Sequence, residues 1–257
     1  MSGGITVVGI GPGGMEHITP AARAAIERAD VILGYKTYLR LIAELAPNTP
    51  REASGMRQEV ARVKRAIELA QQGRRVTLVS GGDPGIYGMA GLVYEVLRER
   101  GATVAVEIVP GVAALNAAAA LLGAPLMHDF AAISLSDLLT PLEDILRRVE
   151  MAARADFVLC LYNPRGQGRT EPFRRTCEVL ARCRAPETPV GIVRSAYREG
   201  QQVVVVSLGE LCADEGVVLQ VDMATLVVVG NSRTFVYEGR MITPRGYGGR
   251  YDLSDSP

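Results

Sequence analysis

The sequence predicts an α/β protein of two successive domains, whose sheets are mostly parallel and flanked by helices. Two observations favour this fold class. Short Val/Ile/Leu runs alternate with longer amphipathic stretches, and several runs end directly in glycine-rich loops. The 257 residues are 48% hydrophobic and 22% charged, which excludes disordered, collagen-like and coiled-coil proteins. Because 28 basic residues balance 28 acidic ones, no overall charge directs the protein to nucleic acid or an anionic membrane.

In the first half, four predicted strands alternate with four predicted helices. Thr19 is a suitable N-cap and Pro20 fits the first helical position, while Gly73 and Gly101 follow the ends of two later helices. The strands are 5–10, 31–34, 75–80 and 103–109, and the helices are 20–29, 56–72, 86–100 and the alanine-rich 112–122. We place the first domain at residues 1–112.

The second half carries weaker helical signals and more β-branched runs. Thr140-Pro141 followed by Glu143 marks a helix start, and Glu238-Gly239 between two short β-branched runs indicates a hairpin. The strands are 131–135, 156–162, 190–194, 203–207 and 226–229, with the hairpin at 235–237 and 240–242, and the helices are 140–154 and 173–183. The second domain spans 123–243, and the tail at 244–257 is predicted to be mobile.

The cysteines and histidines form no metal-binding pattern. Spacings of 17, 6 and 29 residues separate the four cysteines, Cys160, Cys177, Cys183 and Cys212, and the chain has only two histidines. Since the first 14 residues lack the charged flank and unbroken apolar stretch of a signal peptide, we expect a cytoplasmic protein with reduced thiols and no metal. The apolar run at 111–127 predicts a buried helix, because Gly123 and Pro125 interrupt it.

The first glycine motif, at residues 9–14, satisfies G-x-G-x-x-G directly after a strand. This pattern can hold a dinucleotide pyrophosphate at a helix N-terminus. Two features argue against NAD here: four residues separate the motif from the Thr19 cap, and Asp30 precedes the second strand instead of ending it. A plain tight turn is the other interpretation.

Three further loops rich in glycine or proline follow predicted strands, at 81–85, 109–111 and 162–164. Loops at the carboxyl ends of strands bind ligands in open α/β sheets, and glycines let a ligand approach the backbone. Asp83 either accepts hydrogen bonds from its own loop or receives an amine or hydroxyl of a ligand. The sequence leaves both roles open.

Together these loops resemble those of a known family. Its G-x-G-P-G, G-G-D-P, V-P-G and T-x-x-x-V-G motifs correspond here to residues 9–13, 81–84, 109–111 and 225–230. The chain resembles the class III, tetrapyrrole-methylase-type methyltransferases that use S-adenosylmethionine, through about residue 245. Within that family it is most similar to the enzymes that methylate carbon 17 of precorrin-3B in cobalamin biosynthesis, through residues 34–38, 80–90, 123–141 and 162–164.

The resemblance implies a homodimer of two-domain chains with the active site in the cleft between the domains. It implies S-adenosylmethionine as methyl donor and methylation of precorrin-3B at carbon 17, with ring contraction to precorrin-4. The residues that it places against the donor are Pro12, Gly81, Gly82, Asp83, Ile86, Ala113 and Ala114 in the first domain and Asn163, Ala196 and Thr225 in the second.

Methyl transfer requires in-line orientation and exclusion of water, so no dedicated nucleophile is needed. The implied ring contraction would benefit from acid–base help. Candidates for that help lie in 127–140: His128, Asp129, Ser134, Ser136 and Asp137. For His128 the alternative is a structural hydrogen bond, and for Ser136 and Asp137 it is a helix cap.

A precorrin carries several carboxylates, which a net-neutral enzyme must bind through local cations. The candidates are Arg165 and Arg169 after the 162–164 loop, and Tyr35 with Lys36 after the second strand. Arg174 and Arg175 fit a solvated helix face better. Gly166 and Gly168 stand near the position where this family is expected to have a serine.

Alternatives remain within and outside the family. The nearest are the cobalt-factor III methyltransferase of the anaerobic pathway and another corrin-ring methylase; the absence of an iron–sulfur domain favours the metal-free substrate. From other classes, the alternatives are an NAD-dependent oxidoreductase and a non-catalytic tetrapyrrole carrier. Neither a nucleic acid nor a membrane is an expected partner.

Overall fold

Two separately packed units make up the chain: unit 1 is Met1–Ala114 and unit 2 is Leu115–Pro257. The computed structural model describes residues 3–166 and 168–254. The boundary falls between the two domain limits predicted from the sequence, 112 and 123. Of the predicted mobile tail, residues 244–254 are described and include a 3-10 turn at Tyr247–Gly249. Residues 255–257 lie outside the described residues, and the mobility of the tail stays a prediction.

Unit 1 is built on a fully parallel five-stranded sheet. Its elements are β1 (Gly4–Gly9), α1 (Pro20–Glu27), β2 (Val31–Tyr35), α2 (Lys36–Leu41), β3 (Arg51–Ser54), α3 (Glu59–Gln71), β4 (Arg75–Ser80), α4 (Ala90–Arg100) and β5 (Ala105–Val109). The strand order is β3-β2-β4-β1-β5. All five strands therefore end at one side of the sheet, which we call the carboxyl edge of unit 1.

Helices cover both faces of this sheet because its central strands are apolar on both sides. Val7, Leu33 and Leu78 pack against α3 and α4, whereas their strand neighbours pack against α1 and α2 on the opposite face. Consecutive side chains of a strand point to opposite faces, so a doubly covered strand reads as a continuous apolar run. The parallel α/β architecture predicted for this half is confirmed.

Two elements of unit 1 were not predicted, and two helices begin later than predicted. β3 has the polar sequence Arg-Glu-Ala-Ser and lies at the sheet edge with one neighbour, so it lacks an apolar run. α2 has only six residues. α4 begins at Ala90 instead of residue 86, because the Ala90 amide donates to the Pro84 carbonyl and Tyr87 has a φ of +52°. α3 begins at Glu59 instead of 56, after Arg57 with a φ of +62°.

Unit 2 contains a five-stranded sheet and a smaller three-stranded one. Its elements are α5 (Ala114–Leu122), which starts at the unit boundary, β6 (Gly123–Ala124), β7 (Phe130–Ser134), α6 (Leu142–Arg154), β8 (Val158–Tyr162), α7 (Glu171–Cys183), β9 (Pro189–Arg194), β10 (Gln202–Ser207), α8 (Leu208–Ala213), α9 (Glu215–Leu219), β11 (Thr225–Val229), β12 (Phe235–Tyr237) and β13 (Arg240–Ile242). The large sheet has the order β10-β9-β11-β8-β7, and the small one β12-β13-β6.

The α/β class is confirmed for unit 2, but its large sheet is mixed instead of mostly parallel. Only β7 and β8 pair in parallel, while the other three pairings are antiparallel. The connection from β9 to β10 explains part of the difference, because residues 195–201 suffice for an antiparallel turn but not for a parallel crossover. The predicted hairpin is confirmed as β12 and β13.

The core of unit 2 lies mainly between the large sheet and helices α6, α7 and α8, with Phe173 among its largest buried side chains. On the sheet's other face, Gly191 gives space to α5: a Cβ there would lie 2.4 Å from a methyl carbon of Leu122. α8 was not predicted, although Ser207 and Glu210 form a complete capping box that the sequence contains.

Candidate functional site

Three loops at the carboxyl edge of unit 1 pack backbone against backbone. They follow β1, β4 and β5, which are neighbours in the sheet. The Gly11 amide donates to the Gly82 carbonyl at 3.0 Å, and the Val112 amide donates to the Gly11 carbonyl at 3.4 Å. A Cβ on Gly11 would lie 2.2 Å from the Val112 oxygen and 2.4 Å from the Gly82 Cα. Glycine is therefore a steric requirement of this arrangement.

Asp83 joins two of these loops. Its Oδ1 accepts from the Gly85 amide at 2.8 Å and its Oδ2 from the Gly111 amide at 3.2 Å. The structural role considered from the sequence is thus present. Each carboxylate oxygen can accept more than one hydrogen bond, so a contact with a ligand amine or hydroxyl stays a prediction.

The other first-domain candidates lie at the same edge with different exposure. Pro12 and Ala113 are buried, Gly81 and Ala114 are half-buried, and Ile86 is 37% exposed. The loops thus combine accessible backbone with one accessible apolar side chain.

Two tyrosines and a lysine lie at the end of β2 or directly after it, at this edge. A Cβ on Gly81 would lie 2.4 Å from the Cζ of Tyr38, so the Tyr38 ring covers that glycine. Tyr35 stacks edge-to-face on Tyr38, with ring centroids 5.5 Å apart. Lys36 is exposed on the first turn of α2. Tyr38 was not among the predicted site residues, although it belongs to the 34–38 segment that carries the family resemblance.

The first glycine loop does not lead into a helix N-terminus. A 3-10 turn at Met15–His17 intervenes, and α1 begins at Pro20, where the Thr19 hydroxyl accepts from the Ala22 amide at 3.1 Å. A Cβ on Gly14 would lie 2.1 Å from a Glu16 carboxylate oxygen, which puts negative charge beside the loop. Both features disfavour a dinucleotide pyrophosphate at this position.

In unit 2, the three predicted donor-binding residues lie at one edge of the large sheet. β11 runs antiparallel to β8 and β9, so its first residue, Thr225, lies where those strands end. Asn163 follows β8, and Ala196 follows β9, where the Ser195 amide donates to the Ala224 carbonyl at 3.0 Å. We call this side the Asn163 edge.

Thr225 and Asn163 use their side chains within this edge. The buried Thr225 hydroxyl donates to Asp222 Oδ1 at 2.9 Å, so a ligand would meet this residue through its backbone. Asn163 has a φ of +50°, a conformation that asparagine tolerates better than most residues. Its Nδ2 donates to Ser134 Oγ at 3.0 Å, and the Ser136 amide donates to the same oxygen at 3.3 Å.

The two arginines predicted to bind substrate carboxylates donate to backbone carbonyls instead. Arg165 donates from Nη1 to the Val218 oxygen. Arg169 donates from Nη1 to the Leu135 oxygen at 2.9 Å and from Nη2 to the Asn163 oxygen at 2.8 Å. Direct binding of substrate by either arginine stays a prediction.

Arg174 and Arg175 form exposed ion pairs with Glu171 and Glu143, as expected of a solvated helix face.

The catalytic candidates do not form one group. His128 and Asp129 precede β7, whereas Ser136 and Asp137 follow it. The separation from Asp129 to Leu135 along extended chain is roughly 20 Å. At the far edge, His128 Nδ1 accepts from the Asp129 amide at 2.8 Å, and the Asp129 carbonyl accepts from the Val158 amide at 3.1 Å. His128 and Asp129 therefore lie away from the Asn163 edge, and their catalytic role stays a prediction.

Ser136 and Asp137 do lie at the Asn163 edge, and neither is a helix cap. α6 begins at Leu142 with Pro141 at its N-cap position and no side-chain capping bond. In the same loop, Leu138 and Leu139 are exposed, Leu139 by 98%.

Cys160 lies within β8 between two fully buried leucines, and burial raises the pKa of its thiol to about 12. It is a packing residue. Across residues 3–166 and 168–254, no three or more acidic, histidine and cysteine side chains are grouped to bind a metal ion. Over the same residues, no helix has the length and apolar character needed to cross a membrane.

The chain is similar to known proteins of one family. A sequence model of the Tetrapyrrole (Corrin/Porphyrin) Methylases matches residues 4–212. The cobalt-factor III methyltransferase of Priestia megaterium is 48% identical over all of this chain, which spans 47% of that protein's length. A probable cobalt-factor III C(17)-methyltransferase of Salmonella typhimurium is 47% identical over 95% of this chain and 99% of its own. The precorrin-3B C(17)-methyltransferase of a Sinorhizobium species is 40% identical over 97% of this chain and 99% of its own.

Two solved structures are also similar. The methyltransferase CobJ is 39% identical with a TM-score of 0.87, over 95% of this chain and 100% of that one. Uroporphyrin-III C-methyltransferase from Thermus thermophilus, complexed with S-adenyl homocysteine, is 29% identical with a TM-score of 0.69, over 89% of this chain and 97% of that one.

Proposed function

We propose, from the premise that the chain belongs to the tetrapyrrole (corrin/porphyrin) methylases, that it transfers a methyl group from S-adenosylmethionine to carbon 17 of a cobalamin precursor. The observation that carries this proposal is the 47% identity to a relative named for that reaction, over 95% of this chain and 99% of the relative. The accompanying step is contraction of the macrocycle, which the family resemblance implies. Because the chain belongs to this methylase family, we propose neither a dinucleotide-dependent oxidoreductase nor a non-catalytic carrier.

The metal state of the substrate is a second part of the proposal. The Salmonella relative is named for cobalt-factor III and matches over 99% of its own length, so this match does not favour the metal-free ring. Identity is 47–48% to two cobalt-factor III relatives and 40% to the precorrin-3B relative. These identities favour the cobalt-containing ring as the first substrate to assay, beside precorrin-3B.

The residues at the carboxyl edge of unit 1 fit the proposed methyl donor. When bound, S-adenosylmethionine supplies an electrophilic methyl group on a positively charged sulfur. Gly82 leaves space for a ligand to reach the backbone, since a Cβ there would lie 3.7 Å from the Ala114 nitrogen, whereas the Tyr38 ring covers Gly81. Ile86 offers apolar surface to an adenosyl group, and Asp83 keeps lone pairs for an amine or hydroxyl. We propose that Pro12, Ala113 and Ala114 complete this part, and that Asn163, Ala196 and Thr225 contribute from unit 2.

The chain's contribution to methyl transfer is orientation and exclusion of water. Carbon 17 of the ring uses an electron pair to bond the methyl carbon as the carbon–sulfur bond breaks, and that bond's electrons stay on sulfur. Ser136 and Asp137 are the proposed proton-handling groups for ring contraction because they lie at the Asn163 edge. Lys36, exposed at the edge of unit 1, and Tyr35 are the proposed partners of substrate carboxylates.

The test starts with binding and then moves to turnover. Titration of the protein with S-adenosylhomocysteine and, separately, with NAD is followed by calorimetry and thermal unfolding. Stabilisation by S-adenosylhomocysteine alone is expected. Incubation with S-adenosylmethionine and cobalt-factor III or precorrin-3B should then give a ring product heavier by one CH2 unit, with one S-adenosylhomocysteine per product. Stabilisation by NAD alone overturns the donor, and donor binding without product from either ring overturns the carbon-17 assignment.

Assembly and location are proposed on the resemblance, as a homodimer in the cytoplasm. One structural feature supports self-association: β12 is an edge strand with exposed Phe235, Val236 and Tyr237. Light scattering after gel filtration should give twice the chain mass of 27.5 kDa, and a mass of one chain contradicts the dimer.

A further inference from the structure

Arg169 connects the two strand-end segments that carry the candidate residues of unit 2. Its guanidinium donates to the Leu135 carbonyl, directly after β7, and to the Asn163 carbonyl, directly after β8. Its Nε also lies 3.9 Å from Asp137 Oδ1. One side chain thus contacts two segments, 135–137 and Asn163, that lie far apart in the sequence.

The position of this side chain is defined by its own loop. The Arg169 amide donates to the Gly166 carbonyl at 2.9 Å, and the Gly166 amide donates back to the Arg169 carbonyl at 3.1 Å. Gly168, directly before Arg169, has a φ of +72°. The Arg169 side chain is only 13% exposed. Arg169 therefore approaches the strand ends from a fixed backbone position.

The segments it holds are coupled to each other through a second contact. Asn163 donates to Ser134 at the end of β7, and Ser136 donates to the same hydroxyl oxygen. The Leu135 amide also donates to the Tyr162 carbonyl at 2.9 Å, so the guanidinium adds its two bonds to one backbone and one side-chain link between the Asn163 turn and the loop that carries Asp137. A planar guanidinium is suited to the task, because its fork of N–H donors can reach two carbonyls at once.

We propose that Arg169 is a positioning residue for methyl transfer and ring contraction: it sets the placement of Asn163 relative to Ser136 and Asp137. The role rests on the proposed function and replaces the direct binding of a substrate carboxylate that the sequence predicted for Arg169. Its Nη1 and Nη2 already donate to backbone carbonyls, and little of the side chain is accessible to a substrate.

The two roles differ in the kinetic constant that they affect. A carboxylate ligand binds the ground state and the transition state alike, so its removal raises KM. A positioning residue acts on geometry, and misplacement of reacting groups by about 1 Å can lower a rate about 100-fold. Replacement of Arg169 should therefore lower kcat, with the KM for the ring changed by less than about threefold.

The experiment compares Arg169→Ala, Arg169→Gln and Arg169→Lys with wild type and with Arg174→Ala, which removes an exposed ion-paired arginine five residues further on. Rates are normalised to the S-adenosylhomocysteine-binding sites counted by calorimetry, so an unfolded fraction does not lower kcat. We expect about a 100-fold loss of kcat for Ala, about tenfold for Gln and Lys, and none for Arg174→Ala. If Arg169→Ala fails to fold, Gln and Lys carry the comparison.

Each outcome separates this role from the proposed function. A wild type and Arg174→Ala that are both inactive with either ring overturn the proposed function, and the positioning role with it. An active wild type with an unchanged kcat in the Arg169 variants overturns the positioning role alone. A rise in KM of more than tenfold at constant kcat assigns Arg169 to substrate binding, and full recovery by Lys shows that charge alone is sufficient.

Discussion

The two candidate edges are built in different ways. In unit 1, three loops meet through glycine backbones, and Gly9, Gly11 and Gly111 leave no room for side chains between them. In unit 2, the loops are connected by the side chains of Asn163, Ser134 and Arg169. Backbone packing tolerates no added atom, whereas a side-chain network can lose one member and keep its fold. A substitution at the edge of unit 1 should therefore lower the stability of the fold. A substitution at the edge of unit 2 should instead displace the candidate residues while the protein stays folded.

Each unit also buries an arginine near its edge. Arg62 is 6% exposed, donates from Nε to Ser54 Oγ and from Nη2 to the Gly55 carbonyl, and has its pKa lowered by burial. It anchors α3 to the end of β3, at the side of the sheet. Arg169 instead lies between two loops that carry candidate residues. The two arginines thus differ in their neighbours, and only Arg169 contacts segments that carry candidate site residues.

Gly11→Ala should have the largest effect. The added Cβ would overlap the Val112 oxygen and the Gly82 Cα, and we expect a loss of at least about 3 kcal/mol in the free energy of unfolding. Urea unfolding measures the change. Gly91→Ala is the matched control, because no atom lies within 4 Å of its Cβ position on α4, and it should stabilise by about 0.5 kcal/mol. Equal stability of the two variants would contradict the steric account of unit 1.

Asp83→Ala should have the second-largest effect. It leaves the amides of Gly85 and Gly111 without their acceptor, which costs about 2 kcal/mol, and we expect at least a tenfold loss of S-adenosylhomocysteine affinity by calorimetry. Asp83→Asn keeps one acceptor oxygen and should lose less of both. Unchanged affinity in the folded Ala variant would restrict Asp83 to its loop.

Asn163→Ala and Asn163→Gly separate the contribution of the Asn163 side chain in unit 2 from that of its left-handed backbone. Both remove the bond to Ser134, worth about 1 kcal/mol, but only Ala adds the strain of a left-handed backbone, again about 1 kcal/mol. Thermal unfolding should rank wild type above Gly and Gly above Ala. If the side chain contacts the donor, both variants weaken S-adenosylhomocysteine binding equally; a loss restricted to Ala would assign the effect to the backbone.

The smallest expected effect lies away from both edges. Arg75 hydrogen bonds lower the pKa of Asp30 from 3.8 to about 2. A carboxyl whose pKa is lowered by folding stabilises the protein above pH 3.8 and loses this contribution as pH falls toward 2. Because Asp30 is partly exposed, Asp30→Asn should cost no more than about 1 kcal/mol at pH 7. The difference from wild type in urea unfolding should shrink from pH 5 to pH 3, and a constant difference would exclude this ion pair as its source.

The parts of the site that sequence could predict are those where glycine is required. The loops at 9–13, 81–84 and 109–111 are visible because backbone atoms exclude a Cβ at Gly9, Gly11 and Gly111, and because Gly82 has a φ of +61°. Arg169 was recognised as a candidate, but its bonds to the Leu135 and Asn163 carbonyls were not predicted, since a sequence does not show whether a guanidinium faces a carbonyl or solvent. The separation of Asp129 from Asp137 was predictable, because the strand between them carries its two ends to opposite edges. The antiparallel pairing of β11 was not, since its apolar run fits either direction.

The pairing of β6 with β13 bears on how the chain folds during synthesis. Every strand of the unit 1 sheet has been translated by residue 109, so this unit can form while the rest is still on the ribosome. The small sheet of unit 2 instead joins residues 123–124 to a hairpin that ends at Ile242. Translation must therefore pass Ile242 before β6 finds its partner, so β6 stays exposed on the nascent chain for longer than any strand of unit 1.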